Sequence, residues 1–293
     1  TVVHISSGFG ALALALVLFS ALLHASWNLV LKKAGGGPEF VWLFSVAALV
    51  LFAPAALLSF PGMEALTPAV LGIVAASSLC ETGYYLALQG AYLRADLSVV
   101  YPVARGTGPL LAVLLASPLL GETLGLGVAA GTILVLSGSL FLASRKNLPK
   151  ALPQAGGIVL GLLAGIFISG YTLVDKAAVS MFRLPPIFYF WAVLFFQVLF
   201  LTPMAATRRE ALRAAWVHRR REALAIGVLC PLAYLLVLWA LTFTPVSRIA
   251  PSREIGIVFG TFLGSRFLGE KGFRGRLLAS AAVFAGVLLL AAN

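Results

Sequence analysis

The sequence predicts an all-α integral membrane protein, with ten transmembrane helices forming two inverted five-helix repeats around a central cavity. Three observations lead there: an apolar composition, ten apolar segments of membrane-crossing length, and a motif that occurs twice. Of 293 residues, 61% are hydrophobic and 11% charged, and the mean hydropathy is +1.02. Most charges must therefore lie between apolar segments, which rules out a soluble domain and makes the lipid bilayer a partner. The formal charge of +11 implies no nucleic-acid partner. The basic residues cluster in short loops beside apolar segments, where topology explains them. Cys80 and Cys230 each lie inside an apolar segment, so no disulfide framework is expected.

In chain order the segments run near 9–31, 40–60, 67–93, 97–120, 124–144, 155–176, 185–204, 222–243, 246–268 and 273–292. Each can cross a core of about 30 Å at about 1.5 Å per residue. The leading TVVHISSG has no Lys or Arg and the apolar run continues past any cleavage site, so the first segment reads as a retained helix. In helix 4, Pro102 and Pro109 remove backbone donors and permit a bend. RKNLPKALPQ, residues 145–154, is charged and carries two prolines, so it reads as a linker between halves 1–144 and 155–293. Helices 5 and 10 are almost free of polar residues between 126 and 141 and between 277 and 293.

The twice-occurring motif is RGTGPLLAVLLASPLLGET, from Arg105, and REIGIVFGTFLGSRFLGEK, from Arg253. In both, an Arg opens an apolar run and a Gly-Glu pair closes it, at Glu122 and Glu270. Gly108, Ala112 and Ala116 fall opposite Gly256, Gly260 and Gly264 at a four-residue step, which flattens one helix face for close packing. The match extends along the chain: SWNLVLKK resembles GYTLVDKA, Trp42 falls opposite Trp191, and Cys80 with Tyr84 opposite Cys230 with Tyr234. Because five helices is an odd number, the second half enters from the opposite side, an arrangement typical of transporters. The loops after helices 1, 3, 5, 7 and 9 carry 16 of the 21 Lys and Arg, so that side is cytoplasmic and both termini face outward. A bacterial-type inner membrane is the expected location. The most basic loop, Thr207 to Glu222, reads as a short interfacial helix with Leu212, Ala215 and Trp216 toward lipid.

Polar side chains within membrane helices are costly and mark cavities or helix contacts. Helix 1 places Ser20, His24 and Asn28 at four-residue steps beside Trp27, and helix 3 places Glu81 and Tyr85 likewise, flanked by Tyr84. Helix 4 adds Tyr101 and Arg105, helix 6 adds Tyr171, Thr172 and Asp175, helix 8 adds Tyr234 and Trp239, and helix 9 adds Arg253 and Glu254. The candidate substrate contacts are Trp27, Asn28, Tyr84, Tyr85, Tyr101, Tyr171 and Trp239, whose rings suit stacking on rings and amines. His24, Glu81, Arg105, Arg253 and Glu254 form the buried charge or gating set. Mutual pairing of the deep charges across the halves is the first expectation for them, and substrate contact the second.

YPVARGTGPLL with LLGETL, and PSREIGIVF with LGEK, resemble the two EamA-type repeats of the drug/metabolite transporter superfamily. HASWNLVLKK also looks like the first helix of that family. The resemblance implies ten transmembrane helices, a cavity lined mainly by helices 1, 3, 4, 6, 8 and 9, peripheral helices 5 and 10, and transport of small organic solutes; bacterial members include exporters of amino acids, aromatic ones among them. The small multidrug-resistance branch has a Glu eight residues before a Lys on helix 1, whereas here His24 precedes Lys32 and Ile168 precedes Lys176 at that spacing. The preferred function is secondary or facilitative export of small amphipathic metabolites, amino acids first. A carrier or flippase for phosphorylated or lipid-linked substrates, with Arg105 and Arg253 as anion contacts, is the second reading, and a membrane enzyme the third. The chain has no GxxxxGK[ST], HExxH or GxSxG, so no enzyme activity, cofactor or metal is expected.

Overall fold

The computed structural model describes residues 10–34, 37–92, 94, 97–143, 154–256, 258–259 and 273–292. Among them the chain is helical, with no strand. The helices are α1 (Ala11–Ala34), α2 (Pro38–Leu58), α3 (Pro68–Tyr92), α4 (Leu97–Leu120), α5 (Leu126–Ala143), α6 (Gln154–Lys176), α7 (Pro186–Ala206), α8 (Arg209–Phe243), α9 (Val246–Ser252) and α10 (Phe273–Ala292). Seven of these, α1 to α4 and α6 to α8, are long and apolar enough to cross a membrane, and α5 and α10 contain shorter apolar stretches. The protein is an all-α membrane protein, as the composition predicts.

Local chemistry sets several boundaries. Pro38 and Pro186 occupy the first turns of α2 and α7, where a missing N–H costs nothing. The predicted bend of α4 does not interrupt it, since the helix runs through both Pro102 and Pro109. Two elements differ from expectation. The basic segment after α7 is helical and merges with the next span into α8, with a break at Arg219 (φ −135°, ψ 20°). Leu212 and Ala215 do not face lipid: they pack on a core cluster that includes Trp27 and Phe40, and only Trp216 turns outward. The apolar surface beneath the segment is already occupied by its own leucine and alanine. The second difference is α9, which tightens into a 3-10 turn at Arg253–Ile255. Of the predicted ninth span, residues 257 and 260–268, with Gly260 and Gly264, lie outside the described residues, as do Glu270 and Lys271 of the motif and residues 145–153 of the linker.

The helices pair across the two halves of the chain. The main contacts are α1 with α8, α3 with α6, α2 with α7, α5 with α10, α4 with α6, α2 with α8 and α3 with α7. Replacing each helix of the first half by the one five places later exchanges α1–α8 with α6–α3 and α2–α8 with α7–α3, and returns α2–α7 and α5–α10 to themselves. Side chains repeat the reciprocity. Trp42 on α2 donates to Thr202 Oγ1 on α7 at 2.9 Å, and Trp191 on α7 donates to the Leu49 carbonyl on α2 at 2.8 Å.

Lipid tails are as apolar as leucine, so helix association rests on close packing rather than on the hydrophobic effect. Glycine supplies the approach. A Cβ added at Gly286 on α10 would stand 2.8 Å from the Gly131 carbonyl oxygen of α5, and one at Gly165 on α6 would stand 2.6 Å from Thr107 Cβ on α4. Gly108 of the repeated motif meets Ile168 of α6, whereas its counterpart Gly256 faces Ala21 of α1.

The charged ends of the motif reach the other half. Arg105 on α4 pairs with Glu254, with Nη2 to Oε1 at 3.1 Å and Nε to Oε2 at 3.2 Å, and the Glu254 side chain is 2% exposed. Glu122, at the end of the motif, accepts hydrogen bonds from Val246 N (2.6 Å) and Ser247 N (2.9 Å), covering the first free N–H groups of α9. On the same side, Lys176 Nζ donates to the carbonyls of Leu241 (2.8 Å) and Thr244 (3.0 Å) at the end of α8.

Two outcomes test this packing. Gly286→Ala forces α5 and α10 apart and should cost about 1–3 kcal/mol, the usual penalty of overpacking; Gly72→Ala, whose added Cβ meets nothing within 4 Å, should be neutral in the same detergent melt. Arg105→Ala strands the buried Glu254 carboxylate and should cost about 3–5 kcal/mol. Arg105→Met with Glu254→Met should recover most of that loss. An Arg105→Ala protein melting like wild type would show that the pair does not hold the halves together.

Candidate functional site

Between the halves lies a cavity of about 350 Å³. Ligand pockets usually span about 300–1,000 Å³, so this one accepts a single small molecule. It extends from mid-helix residues such as Ser20, Ala48 and Phe190 to Leu31 and Gly37, where α1 gives way to α2. The opposite end holds the bonds made by Glu122 and Lys176.

The polar face of α1 forms one wall, and its side chains are spent differently. Ser20 Oγ donates to the Ala233 carbonyl of α8 at 2.6 Å, a bond between helices. Asn28, which borders the cavity, donates from Nδ2 to the His24 carbonyl one turn back at 2.7 Å. His24 stands edge-on to Trp27, with centroids 4.9 Å apart. Trp27 is 7% exposed, and its indole N–H has no partner among the described residues. A buried unpaired donor is costly, and such groups mark places where something else binds.

On α3, Glu81, Tyr84 and Tyr85 face the cavity from successive turns, and the rings of Tyr84 and Tyr85 are 5.1 Å apart. Tyr84 continues to Tyr171 of α6 at 6.3 Å, and Tyr171 to Tyr234 of α8 at 6.2 Å, a chain of edge-to-face contacts. The Arg253 guanidinium lies 5.3 Å from the centroid of the Tyr234 ring, within cation–π range. Glu81 and Arg253 both border the cavity, and neither has an ion-pair partner among the described residues. Among the described residues, the mutual pairing expected of the deep charges therefore appears between Arg105 and Glu254. Arg253 is instead held over a tyrosine ring, which leaves its N–H edges available.

The cavity brings together Trp27, Asn28, Tyr84, Tyr85 and Tyr171, along with His24, Glu81, Arg105 and Arg253. Glu254 lies outside it, tied to Arg105. Trp239 is placed elsewhere: it is 40% exposed on α8 and borders no part of the cavity. It sits five residues beyond Tyr234, past the full turn that would return it to the same helix face. The side chain of Tyr101 lies outside the described residues.

Two features are missing from the sequence expectation. Helices α2 and α7 also line the cavity, through Phe44, Ser45, Phe190 and Gln197; the Ser45 hydroxyl and the Gln197 amide nitrogen are buried without partners among the described residues. These helices carry few polar residues, so their role was not visible as a polar stripe. The other is the role of Asp175, which is named among the polar residues of helix 6 but not in the buried charge set, and which is fully buried. It accepts hydrogen bonds from Ser77 Oγ (2.5 Å), Tyr189 Oη (2.6 Å) and the hydroxyl of Tyr234. Its spacing of four residues from Tyr171 on one helix face was the available signal. Among the described residues, no three His, Cys, Asp or Glu side chains group to hold a metal ion.

No curated protein matches the chain in sequence. A solved structure, described only as the crystal structure of a protein, aligns over 94% of this chain and 95% of its own, at 18% identity and a TM-score of 0.72. That likeness shows a shared fold through both halves. Residues 155–292 match the EamA-like transporter family. The second half of the chain thus carries an EamA-like transporter family domain.

Proposed function

We propose that the protein is a secondary or facilitative exporter of small amphipathic metabolites, with amino acids, aromatic ones included, as its substrate class. One observation carries the reading: a single-molecule cavity whose wall holds a carboxylate, Glu81, and a guanidinium, Arg253, neither ion-paired among the described residues, together with the rings of Trp27, Tyr84, Tyr85 and Tyr171. Two opposite charges in a membrane protein are expensive unless a ligand or each other neutralises them. A zwitterion does so at both ends, with its ammonium toward Glu81 and its carboxylate toward Arg253. The unpartnered Trp27 and Gln197 N–H groups add donors, and the rings receive an apolar or aromatic side chain.

The transport cycle follows from the architecture. Residues 1–144 and 155–293 act as inverted repeats joined by 145–154, and rocking of one against the other exposes the cavity to each side in turn. The reciprocal pairing of α1–α8 with α6–α3 supports this cycle. The basic-loop asymmetry supports an orientation in a bacterial-type inner membrane with both termini periplasmic. A phosphorylated substrate is the second reading, favoured by Arg253 with its ring-supported guanidinium; Glu81 in the same wall opposes it, because a dianion would meet like charge there.

Proteoliposomes test the proposal with radiolabelled phenylalanine and threonine and with an organic phosphate. Uptake of amino acids without the phosphate supports it, and phosphate uptake alone would overturn it. If ring stacking contributes about 0.5–1.5 kcal/mol, Trp27→Ala should lower phenylalanine transport several-fold and threonine transport less. Equal loss for both amino acids, or for neither, would remove Trp27 from substrate contact.

A further inference from the structure

Asp175 is a carboxylate with no solvent contact, held by three hydroxyl groups from three different helices: Ser77 on α3, Tyr189 on α7 and Tyr234 on α8. Among the described residues no cation pairs with it. The neighbouring Lys176 turns its ammonium away, to the carbonyls ending α8. The other ionisable groups acting on it are Cys80 and Glu81 from α3, Tyr171 on its own helix and Arg253 from beyond α9; the Arg253 guanidinium lies over the ring of Tyr234. From α4, the nearby motif residues are the apolar Ala112 and Ala116, which join Leu173 in one cluster.

A lone buried carboxylate in a membrane protein is costly as an anion, and such residues mark ion and proton paths. The surrounding groups suit both protonation states, because a hydroxyl donates and accepts. Tyr234 also borders the central cavity, so the residue whose hydroxyl meets the carboxylate is also part of the cavity wall. Immediately after Lys176 the helix widens into a π turn, Ala177–Met181, a distortion often found at functional positions.

We propose that Asp175 is a proton-binding site, loaded from the central cavity through the hydroxyl of Tyr234. In the transfer, the Tyr234 O–H bond breaks as its proton passes to Asp175 Oδ2, and a hydronium in the cavity restores the tyrosine proton. The net change is one proton moved, with no oxidation. The neutral carboxyl then donates to Tyr234, whose own hydrogen turns to the cavity, while Ser77 and Tyr189 still donate to Oδ1. Loading and unloading of Asp175 provides the step by which a proton gradient drives the cycle.

The chain has two aspartates, Asp96 and Asp175, so ¹³C-carboxyl aspartate in an Asp96→Asn protein labels Asp175 alone. In lipid vesicles, infrared difference spectra on acidification from mildly alkaline to mildly acidic buffer should gain an isotope-shifted carboxylic-acid C=O band. A spectrum without that band overturns the site, whether or not any amino acid is transported. Tyr234→Phe keeps the ring under Arg253 and removes the relay hydroxyl, so the band should form several-fold more slowly; an unchanged rate overturns the route. Asp175→Asn should lose accumulation of phenylalanine driven by a pH gradient while keeping phenylalanine exchange, and retained gradient-driven accumulation overturns the coupling.

Discussion

A polar group inside a bilayer has no water to turn to, so its partner must come from the protein. In this chain the partners come repeatedly from the other half. Arg105 finds Glu254, Glu122 finds the first N–H groups of α9, Ser20 finds the Ala233 carbonyl, and Ser77 finds Asp175. Each bond exists only when the halves are assembled. The glycine approaches at Gly131 with Gly286 and at Gly165 with α4 bring the helices close enough for such bonds. Among the described residues, Glu81 and Arg253 without ion pairs and the unpartnered Trp27, Ser45 and Gln197 border one cavity, whereas the unpartnered hydroxyls of Ser78, Thr82, Thr132, Ser169 and Ser252 lie outside it.

The constraint also shows which bonds a transport cycle must disturb. The cavity extends to the α1–α2 junction at Leu31 and Gly37, whereas the opposite side is tied by Glu122 to α9 and by Lys176 to α8. Under the proposed rocking motion these bonds belong to the closed side. Both are charge-assisted contacts to backbone groups at helix ends, where water replaces them at modest cost. Arg105 and Glu254 sit deeper and lose more if separated, which suits a pivot better than a gate.

Much of this was legible in the sequence because hydropathy and helical spacing act locally. α4 begins and ends at 97 and 120 as the apolar run does, and His24 with Trp27 and Glu81 with Tyr85 share faces that periodicity alone reveals. Partner choice is different, since it depends on which helices cross. Nothing in the spacing tells Arg105 to prefer Glu254 over Glu81, or Arg253 to rest on Tyr234 rather than on a carboxylate. Helices α2 and α7 enter the cavity wall through scattered residues such as Ser45 and Gln197, which leave no stripe. Trp239 shows the converse error: an aromatic on a cavity helix turned outward by a fraction of a turn.

The central claim is that the cavity between the halves is the substrate site. Cys230 borders it and Cys80 does not, and the chain has no other cysteine, so Cys80→Ser leaves one thiol as a reporter in the wall. The rate of its alkylation by a small maleimide, measured in lipid vesicles with and without saturating phenylalanine, tests occupancy directly. The account predicts several-fold protection by phenylalanine and little by an organic phosphate; an alkylation rate that no amino acid changes, in a preparation that transports phenylalanine, would contradict it.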